Sequence, residues 1–409
     1  MQYIWMICTS LVWIVALSTV TSVQGRATTP GAAAASAPSA AAASLATTAT
    51  TTATTTTEDE PPAFAKDATT SSDEPQEEQG VALTFRAMHD KILQGKANGS
   101  GAFLAALDQS GGSTPKALAS YGLTPEEGNY EVGAESMFDA VHQMRTRIMT
   151  SSSFAGDTIL GAILFEDTMD RTVNDLPTCQ YLWERKGVVP FLKIDKGLEP
   201  LEDGVQMLNP IPNLEVLLAR GRALGVYGTK ARSLIVDPSH PEQIDSLVRQ
   251  QFELARSVLK AGLVPIVEPE VSIDQESSNK QACEEVLCRA LLRELEALRC
   301  EAENDDEEDR LHQVLIKITL PEVANQYQDC VDHPCCLRVV ALSGGYDQGQ
   351  ANTKLAENRG IIASFSRALS EGLSHGMTDE EFDACLGTSI STIYEASEAA
   401  GDNSVTNTE

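Results

Sequence analysis

Val314-Leu315-Ile316-Lys317-Ile318-Thr319-Leu320 is apolar at every position except two, and one of those two is a lysine. A short apolar run of this kind reads as a strand buried on both faces. Seven other runs share its character. They are FLAALD (Phe103–Asp108), LGAILF (Leu160–Phe165), VVPFLKID (Val188–Asp195), GVYGTKAR (Gly225–Arg232), VPIVEPEV (Val264–Val271), RVVALSG (Arg338–Gly344) and IIASFS (Ile361–Ser366). Helical patterns lie between them. Pro241 to Lys260 sets Ile244, Leu247, Val248, Leu254, Ala255, Val258 and Leu259 on one stripe, and Lys280 to Cys300 does the same with Val286, Leu287, Ala290, Leu291, Leu295 and Leu298. Eight buried strands alternating with helices predict an α/β fold with a parallel sheet. The count, and the absence of any GxGxxG, favour a closed (β/α)₈ TIM barrel over an open doubly wound sheet.

The polar residues of these runs sit late in each strand: Asp108, Lys193 and Asp195, Lys230 and Arg232, Glu268 and Glu270, Lys317, Ser343. In barrel enzymes the C-terminal strand ends build the active site. A charge inside an apolar strand must be paired or functional, because unpaired burial costs several kcal/mol. Lys317 is the sharpest case. Desolvation and a neighbouring cation such as Lys230 or Lys193 would free its amine to attack a ketone and form an iminium, an electron sink for carbon–carbon cleavage. The structural alternative pairs its ammonium with Glu268. Glu268 and Glu270 are two apart on one strand and so face the same side. Glu268 can shuttle protons during iminium formation, with Lys230 holding its charge state, and Asp108 can take a proton from a substrate hydroxyl.

Two further turns point to phosphate. Ser343-Gly344-Gly345 follows the seventh run and Arg367 follows the eighth. Glycines let backbone N–H groups approach an anion, and barrel phosphate sites use these two loops. Gln109-Ser110-Gly111-Gly112-Ser113 follows the first run; Ser110 and Ser113, with Lys116 or Lys193, could meet a second phosphate, or the segment is simply a tight turn.

The chain has 409 residues and a formal net charge of −29. A surface that acidic repels nucleic acid but leaves room for a small phosphorylated substrate held by local cations. Nine cysteines form no CxxC pair, and six histidines are dispersed, so no metal site is supported. Free thiols are favoured over disulfides in a core this large. Residues 1–25 carry no charge and centre on Leu11 to Leu17, which reads as a secretory signal peptide, with an uncleaved anchor as the alternative. Residues 26–80 are low-complexity, first alanine- and threonine-rich and then acidic, and read as a disordered linker or targeting segment. That combination suits a plastid reached through the secretory route, or a plain secreted tether. Residues 81–409 form the single catalytic domain, with no membrane partner of its own.

AALDQSGGSTPKAL, GAILFEDTMDR, GVVPFLKIDKG, GTKARS, VPIVEPEV, LSGGY and ASFSRAL, in this order, resemble class I fructose-bisphosphate aldolase, its bacterial and algal-type subgroup above all. The match spans about residues 81–400. The resemblance implies reversible Schiff-base cleavage of fructose 1,6-bisphosphate to dihydroxyacetone phosphate and glyceraldehyde 3-phosphate, in glycolysis, gluconeogenesis or the Calvin cycle. By motif, Lys317 matches the Schiff-base lysine, Glu268 the proton acceptor, Asp108 the group that takes the hydroxyl proton and Lys230 the lysine that assists it. Ser343, Gly344 and Arg367 match the ketose-phosphate site, with Gly345 beside them, and Lys193 and Arg232 match further substrate residues. No cofactor and no metal is implied, because the iminium replaces a Lewis acid; a homo-oligomer is left open. The chain departs from animal-type members in ending Val405-Thr406-Asn407-Thr408-Glu409 without their terminal tyrosine, and in carrying Gln109 where a glutamate often follows the aspartate. A related aldolase acting on sedoheptulose bisphosphate, and a non-catalytic barrel kept for binding, are the competing readings.

Overall fold

All eight apolar runs are strands of one sheet in the computed structural model, which describes residues 76–97, 102–305 and 311–402. They are β1 (Phe103–Leu107), β2 (Ile159–Leu164), β3 (Val189–Lys193), β4 (Gly228–Ile235), β5 (Val264–Val271), β6 (Val314–Thr319), β7 (Cys336–Leu342) and β8 (Ile361–Ala363). Neighbours pair in parallel in sequence order. The Ala106 N–H donates to the Phe365 carbonyl at 3.1 Å, which carries the ladder from the first strand round to the end of the eighth. The sheet is a nearly closed TIM barrel.

Alternation along each strand sorts its side chains into two cores. Leu104, Ala106, Leu160, Ile163, Phe191, Ile266, Leu315 and Val340 fill the barrel interior. Phe103, Ala105, Leu107, Ile316, Ile318, Val339 and Ala341 face the helices, meeting Ile244, Leu247, Leu291 and Leu295. The predicted helix from Pro241 to Lys260 has those bounds, and the next runs from Ser277 to Glu303.

Three differences from the sequence reading have physical causes. β4 begins at Gly228, not Gly225, because Gly225 has φ +86 and turns the chain out of helix Leu214–Ala223. Its far end runs on to Ile235, where Val205–Gln206 adds a short antiparallel pairing. The N-terminal side is also longer than expected: helix Gln76–Ala97 starts inside the segment assigned to the linker. It places Met88 and Ile92 in the interior cluster, and Phe85 stacks on Tyr227 with ring centroids 5.0 Å apart, so it covers the end where the strands begin. The signal peptide and the rest of the low-complexity stretch lie outside the described residues. None of the eight cysteines among the described residues is in a disulfide.

Candidate active site

The opposite end of the barrel opens into a cavity of about 540 Å³. Because Ile316 and Ile318 turn outward to the helices, Lys317 between them points into the barrel, where it is 3% exposed. Its Nζ lies 3.1 Å from Glu268 Oε1. The other oxygen of Glu268, Oε2, lies 2.8 Å from Lys230 Nζ, and that ammonium lies 2.6 Å from Asp108 Oδ2. Lys317, Glu268, Lys230 and Asp108 thus form one alternating chain of charge, delivered by β6, β5, β4 and the end of β1.

The alternation sets the protonation states. Burial works against the carboxylate form of Asp108, but Lys230 and then Lys317 outweigh it and hold the carboxyl well below its usual range. Glu268 is held down in the same way, burial opposed by the same two lysines. Burial disfavours the Lys230 ammonium, yet Asp108 and Glu268 raise its pKa above that of a free lysine, so it stays charged. The bland reading of Lys317, an ion pair with Glu268, is therefore present and is compatible with the reactive one: the paired carboxylate is also the base that can take the ammonium's proton.

The rim supplies the remaining cations. Lys193 pairs with Asp195, and Arg232 pairs with Glu270. Six cationic side chains (Lys116, Lys193, Lys230, Arg232, Lys317 and Arg367) line the cavity against four carboxylates (Asp108, Asp195, Glu268 and Glu270), an excess of two positive charges. In a chain of net charge −29 this local reversal marks an anion site.

Ser343 and Gly344 line the cavity, and Gly345 follows them in the turn. Its part is conformational. Gly344 and Gly345 have φ +62 and +134, and the Gly345 and Tyr346 N–H groups both close back on the Ser343 carbonyl, at 2.7 and 2.9 Å. A Cβ on Gly345 would come 2.9 Å from Ile273 Cδ1, so the turn packs this closely on Ile273 because the position is a bare glycine. Ser110 and Ser113 line the cavity after β1, the neighbour of β8, but the Ser113 hydroxyl already accepts from the Ser110 N–H at 3.1 Å.

Sequence reasoning missed two supports behind this surface. Arg145, wholly buried on helix Glu135–Thr150, donates to the Gln109 carbonyl and to Thr168. Its place on the buried stripe of Met137, Val141 and Ile148 was the available signal. Behind the Ser343 turn, the Tyr346 hydroxyl donates to Glu322 at 3.1 Å, and the Glu322 N–H donates to Glu284 at 2.9 Å. Buried Lys280 joins Glu284 at 2.5 Å and the Leu320 carbonyl at 2.7 Å.

Fold and site together define a barrel enzyme that faces an inward lysine–glutamate pair onto an anion-binding cavity. The family model described as fructose-bisphosphate aldolase class-I matches residues 97–302. The chain is 52% identical over 295 residues to fructose-bisphosphate aldolase class 1 of Synechocystis sp., covering 72% of this chain and 93% of that one. It is 48% identical to the protein of that name from Porphyromonas gingivalis, covering 72% and 94%. A solved fructose-bisphosphate aldolase from Plasmodium falciparum superposes with a TM-score of 0.56 at 20% identity, over 79% of this chain and 96% of that one, a likeness of fold. The chain belongs to the class I fructose-bisphosphate aldolase family.

Proposed function

We propose that the chain cleaves fructose 1,6-bisphosphate reversibly, with Lys317 as the nucleophile. Glu268 takes a proton from the Lys317 ammonium, 3.1 Å away, and the freed amine adds to the ketone carbon. Glu268 then returns a proton to the departing hydroxyl, so that water leaves and an iminium remains. Asp108 takes the proton of the C4 hydroxyl; the C3–C4 bond breaks, glyceraldehyde 3-phosphate departs, and the electron pair moves onto the iminium to give an enamine. Protonation at C3 and hydrolysis release dihydroxyacetone phosphate. Lys230, between Asp108 and Glu268 at 2.6 and 2.8 Å, keeps both carboxylates charged and ready to accept.

The observation that carries this reading is Glu268 shared between two lysines at the floor of a cavity with surplus positive charge. Ser343, Gly344 and Arg367 are assigned to the ketose phosphate, and Lys193, Arg232, Ser110 and Ser113 to the rest of the substrate. The test is borohydride trapping with dihydroxyacetone phosphate in excess EDTA, read by intact mass. An adduct on the parent that is lost in Lys317→Ala is the expected result. No adduct, with activity abolished by EDTA, would refute the mechanism.

The N-terminal sequence supports entry into the secretory pathway by a signal peptide at residues 1–25, with a plastid reached by that route as the destination. The support is the uncharged apolar centre at Leu11 to Leu17, followed by a hydroxyl-rich stretch free of acidic residues as far as Thr57.

A further inference from the structure

Arg145 is the largest wholly buried side chain among the described residues, and none of its hydrogen-bond partners is a carboxylate. Its Nη1 donates to Thr168 Oγ1 at 2.7 Å, its Nη2 donates to the Gln109 carbonyl at 2.5 Å and to Gln109 Oε1 at 3.2 Å, and its Nε has no partner among the described residues. Burial pushes the guanidinium down to about 10, so it is still charged at neutral pH. A buried cation without a contacting anion costs several kcal/mol. A structural role alone would be served as well by an apolar side chain, so the grip on Gln109 calls for an explanation.

The explanation lies in hydrogen-bond direction. A guanidinium can only donate. The end of the Gln109 amide that faces Arg145 is therefore fixed as the oxygen, and the NH₂ is forced to the other side. There Nε2 donates to Ser366 Oγ at 2.5 Å. With its oxygen accepting from Gln109, the Ser366 hydroxyl must aim its own proton elsewhere. Ser366 lines the cavity beside Arg367, where the surplus cations collect an anion.

We propose that Arg145, Gln109 and Ser366 form a one-way relay in which Arg145 is a positioning residue and Ser366 is turned into a hydrogen-bond donor to the substrate phosphate held at Arg367. This rests on the reading of the cavity as a sugar-bisphosphate site. No part of it requires Arg145 to touch substrate: Met144 and Ile148, on either side of it, line the cavity, and it does not.

The sharpest perturbation is Gln109→Glu. A carboxylate keeps both contacts to Arg145 and gains an ion pair with it, so folding is preserved. It has no proton to give Ser366. The Ser366 hydroxyl then donates backwards to Glu and shows the phosphate its lone pairs. We expect KM for fructose 1,6-bisphosphate and the inhibition constant of inorganic phosphate to rise about tenfold, the loss of one charge-assisted hydrogen bond, with kcat within threefold and no fall in Tm. Added negative charge near a phosphate would also raise KM, so the same change is made in Ser366→Ala. There the relay is already broken, and Gln109→Glu is expected to change KM less than twofold. A KM unmoved by Gln109→Glu in the parent, or raised equally in both backgrounds, would overturn the relay. Arg145→Met, if it folds, should raise KM several-fold with kcat preserved; the Gln109 and Ser366 pair carries the test without it. A parent that turns over fructose 1,6-bisphosphate and forms the borohydride adduct secures the reading beneath the relay, whereas an inactive parent removes both.

Discussion

Lys230→Met isolates what the alternating charge chain contributes. Lys230 is 3% exposed, and its ammonium sits 2.6 Å from Asp108 and 2.8 Å from Glu268. Methionine fills nearly the same volume without the charge. Glu268 keeps Lys317 at 3.1 Å, but Asp108 loses its contacting cation. Removing one partner of a buried ion pair typically costs about 3–5 kcal/mol, because the remaining charge is stranded. For a domain of this size that corresponds to a fall in Tm of roughly 4–8 °C. The pH dependence follows from the directions of the shifts. Asp108 and Glu268 are depressed in the folded protein, so their contribution is fully present above their unfolded values of about 3.9 and 4.3. It is lost as pH falls through the lower folded ones. Lys230 is raised, so its contribution is fully present below about 10.4 and lost only as pH rises through the higher folded value. The deficit of the variant should therefore be constant from about pH 5 to pH 9 and shrink as pH falls towards 3. Differential scanning fluorimetry at pH 7, 5 and 3 reads it directly. Turnover should drop by about 10²-fold or more, since Asp108 loses its contacting cation and Glu268 loses one of its two. A variant as stable as the parent at pH 7, or a deficit that grows towards acid, would refute the account.

Glu268→Gln removes the base that serves Lys317 while leaving an amide able to occupy the same space. Its kcat should fall by about 10²–10⁴-fold, and rapid-quench trapping should show slowed iminium formation; normal adduct kinetics would exclude Glu268 as the proton shuttle. Gly344→Ala puts a Cβ at φ +62, 3.1 Å from Ile273 Cγ2 and 3.2 Å from Thr319 Cγ2. Left-handed strain of about 1–2 kcal/mol, plus that crowding, should displace the Ser343 turn and raise KM for the bisphosphate more than it lowers kcat. A steady-state KM equal to that of the parent would show that the turn does not hold phosphate. A fluorescent fusion of residues 1–80 should be carried into the secretory pathway, and diffuse cytosolic fluorescence would rule out the targeting proposal.

Much of the site was legible because burial makes charge conspicuous. Strands covered on both faces are written as continuous apolar runs, so Lys317 between two isoleucines and Glu268 within VPIVEPEV stand out as residues that must be paired or reactive. Eight such runs separated by helical stripes were enough for the barrel, and the motif order was enough for the family. Parts of the local conformation were legible too, since a Ser-Gly-Gly turn after the seventh strand has few uses.

What one-dimensional patterning could not decide was which charges share a partner. Lys193, Lys230 and Lys317 look equivalent along the chain; only closure of the sheet gives Glu268 to the last two and leaves Lys193 to Asp195. The helix from Gln76 to Ala97 was hidden by the low-complexity sequence before it, and its work, covering the end of the barrel where the strands begin, exists only once the barrel is closed. Arg145 was hidden for a related reason. An arginine on a helix stripe looks like a side chain whose charged end reaches solvent, and its value lies in two acceptors on a residue 36 positions away. Sequence records the chemistry of each group and its local period. Hydrogen-bond direction and charge pairing are properties of groups brought within about 3 Å, and across this chain that nearness is created by the tertiary fold.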